Sequence, residues 1–149
     1  RAPLKMSGRE IEKFVLKYSD WIDEKLRIAQ NRSECERALD EREEELRKKA
    51  EYLFPMLTER NSAVMGLKPA SVKITSAKRR FGSCSSKNGI CFSWRLAAYP
   101  LPAIEYVVVH ELAHIKHHNH SAAFYKLIEQ YMPDYRSRIK LLKSVPTEA

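Results

Sequence analysis

The chain has 149 residues, about one domain's length, with hydrophobic (44%) and charged (31%) fractions ordinary for a globular protein. Lys and Arg outnumber the acids 27 to 19, giving a formal charge of +8 that favours polyanions or anionic surfaces without naming one. No run approaches the roughly 18 apolar residues of a membrane span, and three cysteines without a C-x-x-C pair argue against a disulfide framework. The expected setting is therefore the reducing cytoplasm, away from membranes.

The opening "RAPLKMSG" is neither a signal peptide nor an initiator methionine, and "RAP" reads as the tail of a strand. Ser7 with Glu10 reads as a capping box opening a helix. Ile11, Phe14, Val15, Tyr18, Trp21, Ile22 and Leu26 then recur at helical spacing. The polar "QNRSE" is expected to break this pattern. "RALDEREEELRKKAEYLF" suits a solvated helix laced with i,i+4 ion pairs. Pro55 should kink or interrupt it, and Gly66 can close it.

Composition then shifts. "SVKITSAK" alternates polar and apolar residues, "GICFSWRL" is β-prone, and Asn88-Gly89 between them is a turn signal. A hairpin or two adjacent antiparallel strands is expected. Cys84 and Cys91 could face each other across it, although small buried hydrophobes is the preferred reading. Pro100 and Pro102 precede a helix starting near Ala103, another starts about Ser121, and a short basic helix follows Pro133-Asp134. The chain thus divides into a helical region, 1–66, and a core, 67–149, together forming one domain.

All five histidines lie in "HELAHIKHHNH", residues 110–120. His110 and His114, four apart on a helix, project from one face and can chelate a single ion at about 2.0–2.1 Å, as zinc requires. Glu111 lies beside the open coordination position, where it can take a proton from the activated water and return it to the leaving group. This H-E-x-x-H arrangement has the mechanics of zinc-assisted hydrolysis. A catalytic zinc takes three protein ligands plus water. His117 and His118 would sit about 10–12 Å along a continued helix from His110, at about 1.5 Å per residue, too far for one ion. The chain must turn back, Asn119 tolerates the left-handed conformation for such a turn, and His120 follows it. His120 is assigned as third ligand, with Glu129 as the alternative and with His117 and His118 facing solvent or supporting the ligands.

"RRFGSCSSKNGICFSWRL", "YVVVHELAHIKHHNHSAAFYKLI" and "MPDYRSRIKLL" resemble blocks of the YgjP-like metallopeptidase family, and the upstream helical segments are similar as well. The resemblance covers nearly the whole chain, with Phe81 and Tyr125 standing where that family usually has tryptophan. It implies an α+β, minimal zincin-like fold in which helices pack on a small antiparallel or mixed sheet and the H-E-x-x-H helix lies beneath its edge strand. It also implies one zinc ion on His110, His114 and His120, a catalytic Glu111, and a β-rich portion upstream of Arg1.

Arg80 and Ser83 are candidates for lining the rim where an extended substrate adds to an edge strand. The plainer alternative pairs Arg80 with Glu105 or Glu111 and gives Gly82 a bulge. Tyr135 or Arg136 is a candidate oxyanion stabiliser, the plainer readings being core packing for Tyr135 and a solvated surface for Arg136, and Met132 reads as core. The leading functional reading is a zinc metallopeptidase acting on a peptide or protein. The resemblance also carries nucleoside triphosphate hydrolysis, of UTP in particular, but Lys78, Arg79, Arg80 and Lys87 lack a glycine-rich phosphate cradle. A third reading is a protease resembling the SprT-like enzymes, docked on nucleic acid through its basic surface.

Overall fold

The computed structural model describes residues 7–143; the proposed strand tail at "RAP" lies outside them. Two compact units form, Arg1–Arg37 and Ala38–Ala149. The division falls inside a helix and not at Gly66, because the helix ending at that glycine is built into the core of the second unit.

The first unit contains α1 (Gly8–Lys17) and most of α2 (Ser19–Glu41). Ser7 and Glu10 cap α1 reciprocally, as their spacing predicts. The apolar stripe does not form one rod. The helix breaks at Tyr18 and then runs through "QNRSE" to Glu41. That stretch interrupts the apolar stripe but not the backbone, since its residues are adequate helix formers and Arg32 pairs with Glu36 one turn on at 3.2 Å.

The second unit starts with the end of α2 and continues with α3 (Glu43–Met65), β1 (Ser71–Thr75), β2 (Gly82–Cys84), β3 (Gly89–Ser93), a 3₁₀ turn (Trp94–Ala98), α4 (Leu101–Lys116), α5 (Ala122–Tyr131) and α6 (Tyr135–Leu141). Pro55 does not interrupt α3. Gly66 ends that helix in the left-handed region, φ 66°, which glycine adopts without a Cβ penalty. The sheet order is β1-β3-β2, with β1 parallel and β2 antiparallel to β3. The sheet is therefore mixed, and β2 forms one of its edges. Asn88 turns the β2–β3 hairpin at φ 61°. The register is unbroken, Gly82↔Phe92, Ser83↔Cys91 and Cys84↔Ile90, so no bulge forms at Gly82. Side chains of adjacent strand residues alternate between faces, which puts Cys84 and Cys91 on opposite sides of the sheet. All three cysteines are free.

Phe92 and Ile90 from one sheet face, Phe54, Leu46 and Leu57 of α3 and the valines of α4 are all buried in the core. The Phe54 and Phe92 rings meet edge to face at 5.4 Å. Two ionic clusters hold the periphery. Arg95, 7% exposed, lies over Trp94 at 4.1 Å, pairs with Asp40 at the end of α2 and donates to the Ser76 carbonyl. Lys78 reaches the same Asp40 at 3.0 Å, so the β1–β2 loop is tied down at two points. On α4, Glu105 binds Arg60 of α3 and Arg138 of α6, fixing three helices together. Among the described residues no helix is long and apolar enough to cross a membrane.

Truncation of a fully buried ring should be felt strongly and truncation of an exposed one hardly at all. Phe54→Ala is expected to lower the unfolding free energy by about 3–5 kcal/mol in urea melts. Phe14→Ala in α1, where the ring is 54% exposed, should change it by less than about 0.5 kcal/mol.

Candidate active site

The interior of α4 presents His110, Glu111 and His114 on one helical face, since residues three and four apart are neighbours. The helix ends at Lys116 because His117 turns to extended backbone, φ −132°, ψ 100°. The exit is made by His117 and not by a left-handed Asn119, whose φ is not positive. The chain nevertheless reverses after α4. His120 swings back, and its Nε2 stands 3.1 Å from Nε2 of His110. The rings of His110, His114 and His120 form a nearly equilateral triangle, with centroids 4.8–5.0 Å apart.

These three histidines are the group among the described residues able to hold a metal ion, their ligand atoms lying within 4.8 Å of one another. Two nitrogens bound tetrahedrally at zinc distances are separated by about 3.3–3.4 Å, so the 3.1 Å approach is close to one edge of such a tetrahedron. Two supporting contacts orient the rings. His114 Nδ1–H donates to the His117 carbonyl at 3.0 Å, and His110 Nδ1 meets the Tyr106 hydroxyl at 3.2 Å. Each leaves the remote nitrogen, Nε2, directed into the cluster. Burial, reinforced by the charges of His114 and His120, lowers the His110 pKa to about 3, so this imidazole is neutral and its lone pair is available at neutral pH. Glu129 is exposed on α5 outside the group, and His118 lines the cavity without joining it.

Phe124 of α5 is fully buried and packs against all three imidazoles, its centroid 4.6–4.9 Å from theirs. Sequence reasoning did not find this apolar floor. Its only local signal is the return of an aromatic four residues after His120. Tyr106 was missed as well, although its i,i+4 relation to His110 was available.

Glu111 is 5% exposed, and its Oε2 is buried with no hydrogen-bond partner. A native buried acceptor without a partner calls for an occupant, and the Glu111 side chain is among the groups lining a cavity of about 310 Å³, with the three histidines, Gly82, Ser83 and Cys84. Burial raises the Glu111 pKa to about 7, against the opposing pull of the Arg80 charge. Gly82 of β2 explains how the carboxylate fits. A Cβ there would lie 2.5–2.8 Å from Oε1, Cγ and Cδ of Glu111. The glycine serves close approach of strand to helix.

The remaining candidates separate. Ser83 lines the cavity, whereas Arg80 does not, although it is near enough for its charge to act on Glu111. Glu105 is taken by Arg60 and Arg138 and is not the partner of Arg80. Tyr135 is buried, its ring stacked between those of Tyr106 and Tyr125, and its hydroxyl accepts from Arg136. Met132 is buried, as core.

Comparison with known proteins bears on this geometry. The crystal structure of the metallopeptidase zymogen of Pyrococcus abyssi abylysin is similar in fold, with a TM-score of 0.55 and 21% identity over 60% of this chain and 91% of that one. No curated protein matches the chain. The family pattern of the YgjP-like metallopeptidase domain matches residues 27–145, from the middle of α2 past the end of α6. With that pattern spanning the helices, the sheet and every histidine, the chain belongs to the YgjP-like metallopeptidase family.

Proposed function

We propose that the chain is a zinc-dependent peptidase with His110, His114 and His120 as ligands and Glu111 as general base and then general acid. The observation that carries this reading is the orphaned Oε2 of Glu111, buried beside three converging imidazoles. Three neutral nitrogen donors suit zinc better than the hard cations that accompany nucleotide phosphates, so this donor set favours peptide over nucleotide hydrolysis. The family match is to a peptidase domain and brings no nucleic-acid partner with it.

Zinc, when bound, lowers the pKa of a water towards roughly 7 and polarises the scissile carbonyl. The residues of the chain supply the rest. Glu111 Oε2 accepts the proton of the attacking water. A carboxyl whose pKa sits near 7 retains that proton long enough to pass it to the departing amide nitrogen. The free edge of β2 offers backbone groups to an extended peptide, which would lie across the cavity above α4. Gly82 leaves Glu111 room at that edge, and Phe124 excludes water beneath the imidazoles.

Two outcomes test the assignment. Glu111→Gln should retain one equivalent of zinc by elemental analysis and lose peptide hydrolysis by about 10²–10⁴-fold, whereas His120→Ala should lose the metal. Full activity in Glu111→Gln would refute the mechanism.

Proton linkage provides a test without turnover. The Glu111 pKa in the folded protein, about 7, exceeds its ordinary value of 4.5. Its contribution to stability is therefore complete below about pH 4.5 and disappears as pH rises through 7. The depressed His110 acts in the opposite sense, but it is common to parent and variant and cancels in their difference. In metal-free protein, the stability of Glu111→Gln relative to the parent should rise by about 3 kcal/mol between pH 4.5 and 8. A difference that stays flat in chemical melts would show that Glu111 does not hold a proton in the folded state.

A further inference from the structure

We infer that Arg80 and Ser83 form a carboxylate-binding subsite, so that the enzyme prefers substrates with an acidic group one strand position from the residue facing the histidines. The inference rests on the peptidase reading and on the peptide lying along β2.

A second, smaller cavity of about 110 Å³ adjoins the catalytic one, and both are lined by Gly82 and Ser83. It lies on the other face of the sheet. Gly82 and Cys84 face Glu111 and the histidines, so the alternation of a strand turns Ser83 the opposite way. The register aligns Ser83 with Cys91, and Lys73 with Cys91 in turn, which puts Thr75 and Ser93 on that same face. Ala77, Arg80 and Phe81 of the β1–β2 loop complete its lining.

Two donors there are uncommitted. Thr75 and Ser93 spend their hydroxyls on the carbonyls of Phe92 and Ala77. Ser83 makes no side-chain hydrogen bond and Arg80 no ion pair among the described residues. A guanidinium and a hydroxyl that line one small, otherwise largely apolar cavity match a carboxylate, which accepts from both. The loop that carries Arg80 is tied to Asp40 through Lys78 and Arg95, which limits the freedom the guanidinium must give up on binding.

The surrounding charge has the same sign. Residues 67–143 contain thirteen Lys and Arg against four acids, Glu105, Glu111, Glu129 and Asp134. Glu105 and Asp134 are neutralised by Arg138, and Glu111 is buried. An acidic peptide is thus drawn to this part of the molecule before any specific contact forms. On a peptide paired with β2, successive side chains fall on alternate sheet faces, and the one beside Ser83 lies about 5 Å from it. That side chain reaches Arg80.

The test uses the zinc-loaded enzyme with peptide sets carrying Asp, Asn or Lys at each position around the cleaved bond, each in free-acid and amidated form. The expected result is an Asp over Asn ratio in kcat/KM of about tenfold at one position. The ratio should fall towards one in Arg80→Gln and turn in favour of Lys in Arg80→Glu. Preference retained on amidation assigns the site to a side chain, and preference lost on amidation assigns it to a terminal carboxylate. Equal cleavage of Asp and Asn peptides, or a preference that survives Arg80→Gln, overturns the inference and leaves the peptidase reading intact. If no peptide is cleaved, the peptidase reading fails. Binding of the labelled Asp and Asn peptides to Glu111→Gln then decides the subsite, equal affinities overturning it and an Asp preference abolished by Arg80→Gln upholding it.

Discussion

The fit of the Glu111 carboxylate between α4 and β2 is the constraint on which the site depends. The carboxylate is buried, one oxygen lacks a partner, and the strand passes so close that no side chain can stand at Gly82. An acid in such a place is costly to ionise, which is why its pKa climbs to about 7. That cost is the one the proposed role of the carboxyl as a proton carrier would require. A loosely held glutamate on the surface would keep its ordinary pKa and would have no reason to return a proton.

The scaffold around this point is built for rigidity. α4 is apolar on most of its circumference and is held by α3, α5, α6 and β2. Glu105, one turn before Val109, gathers Arg60 and Arg138 and so locks the neighbouring helices to the helix that bears the histidines. Phe124 provides the floor, and Tyr106 and the His117 carbonyl orient two rings from behind. Ligands carried on packed elements keep their geometry better than ligands on loops. Only His120 sits off a helix, and the short segment from His117 to α5 leaves it little slack.

The sheet is asymmetric in function as in position. One face of β3 supplies Ile90 and Phe92 to the core, while the opposite face carries Cys91 and Ser93 under the β1–β2 loop. β2 at the edge takes part in both environments: strand alternation turns Gly82 and Cys84 to one face and Ser83 to the other, and Gly82 and Ser83 border both cavities. A single strand of three residues thereby separates the histidine cavity from the smaller cavity behind it.

Much of the chemistry is legible from residue order because it is local. Helical periodicity places His110 and His114 together, and the rise per residue excludes His117 and His118, leaving His120 once the chain turns. Capping by Ser7 and Glu10, closure at Gly66 and the turn at Asn88 are local as well. Whatever depends on partners distant in sequence had to await the fold. Nothing in the order of residues states that β1 runs parallel to β3, that Cys84 and Cys91 lie on opposite faces, or that Gly82 makes room for Glu111. The split at Tyr18 and the continuity through "QNRSE" were misread because apolar spacing reports which face is buried, not where the backbone stops. Residue order thus determined which histidines can converge and which acid lies beside them, through bonds and spacings within a few turns. Tertiary structure alone decided the burial that tunes that acid and the strand that covers it, because desolvation and close packing arise only between segments brought together by folding.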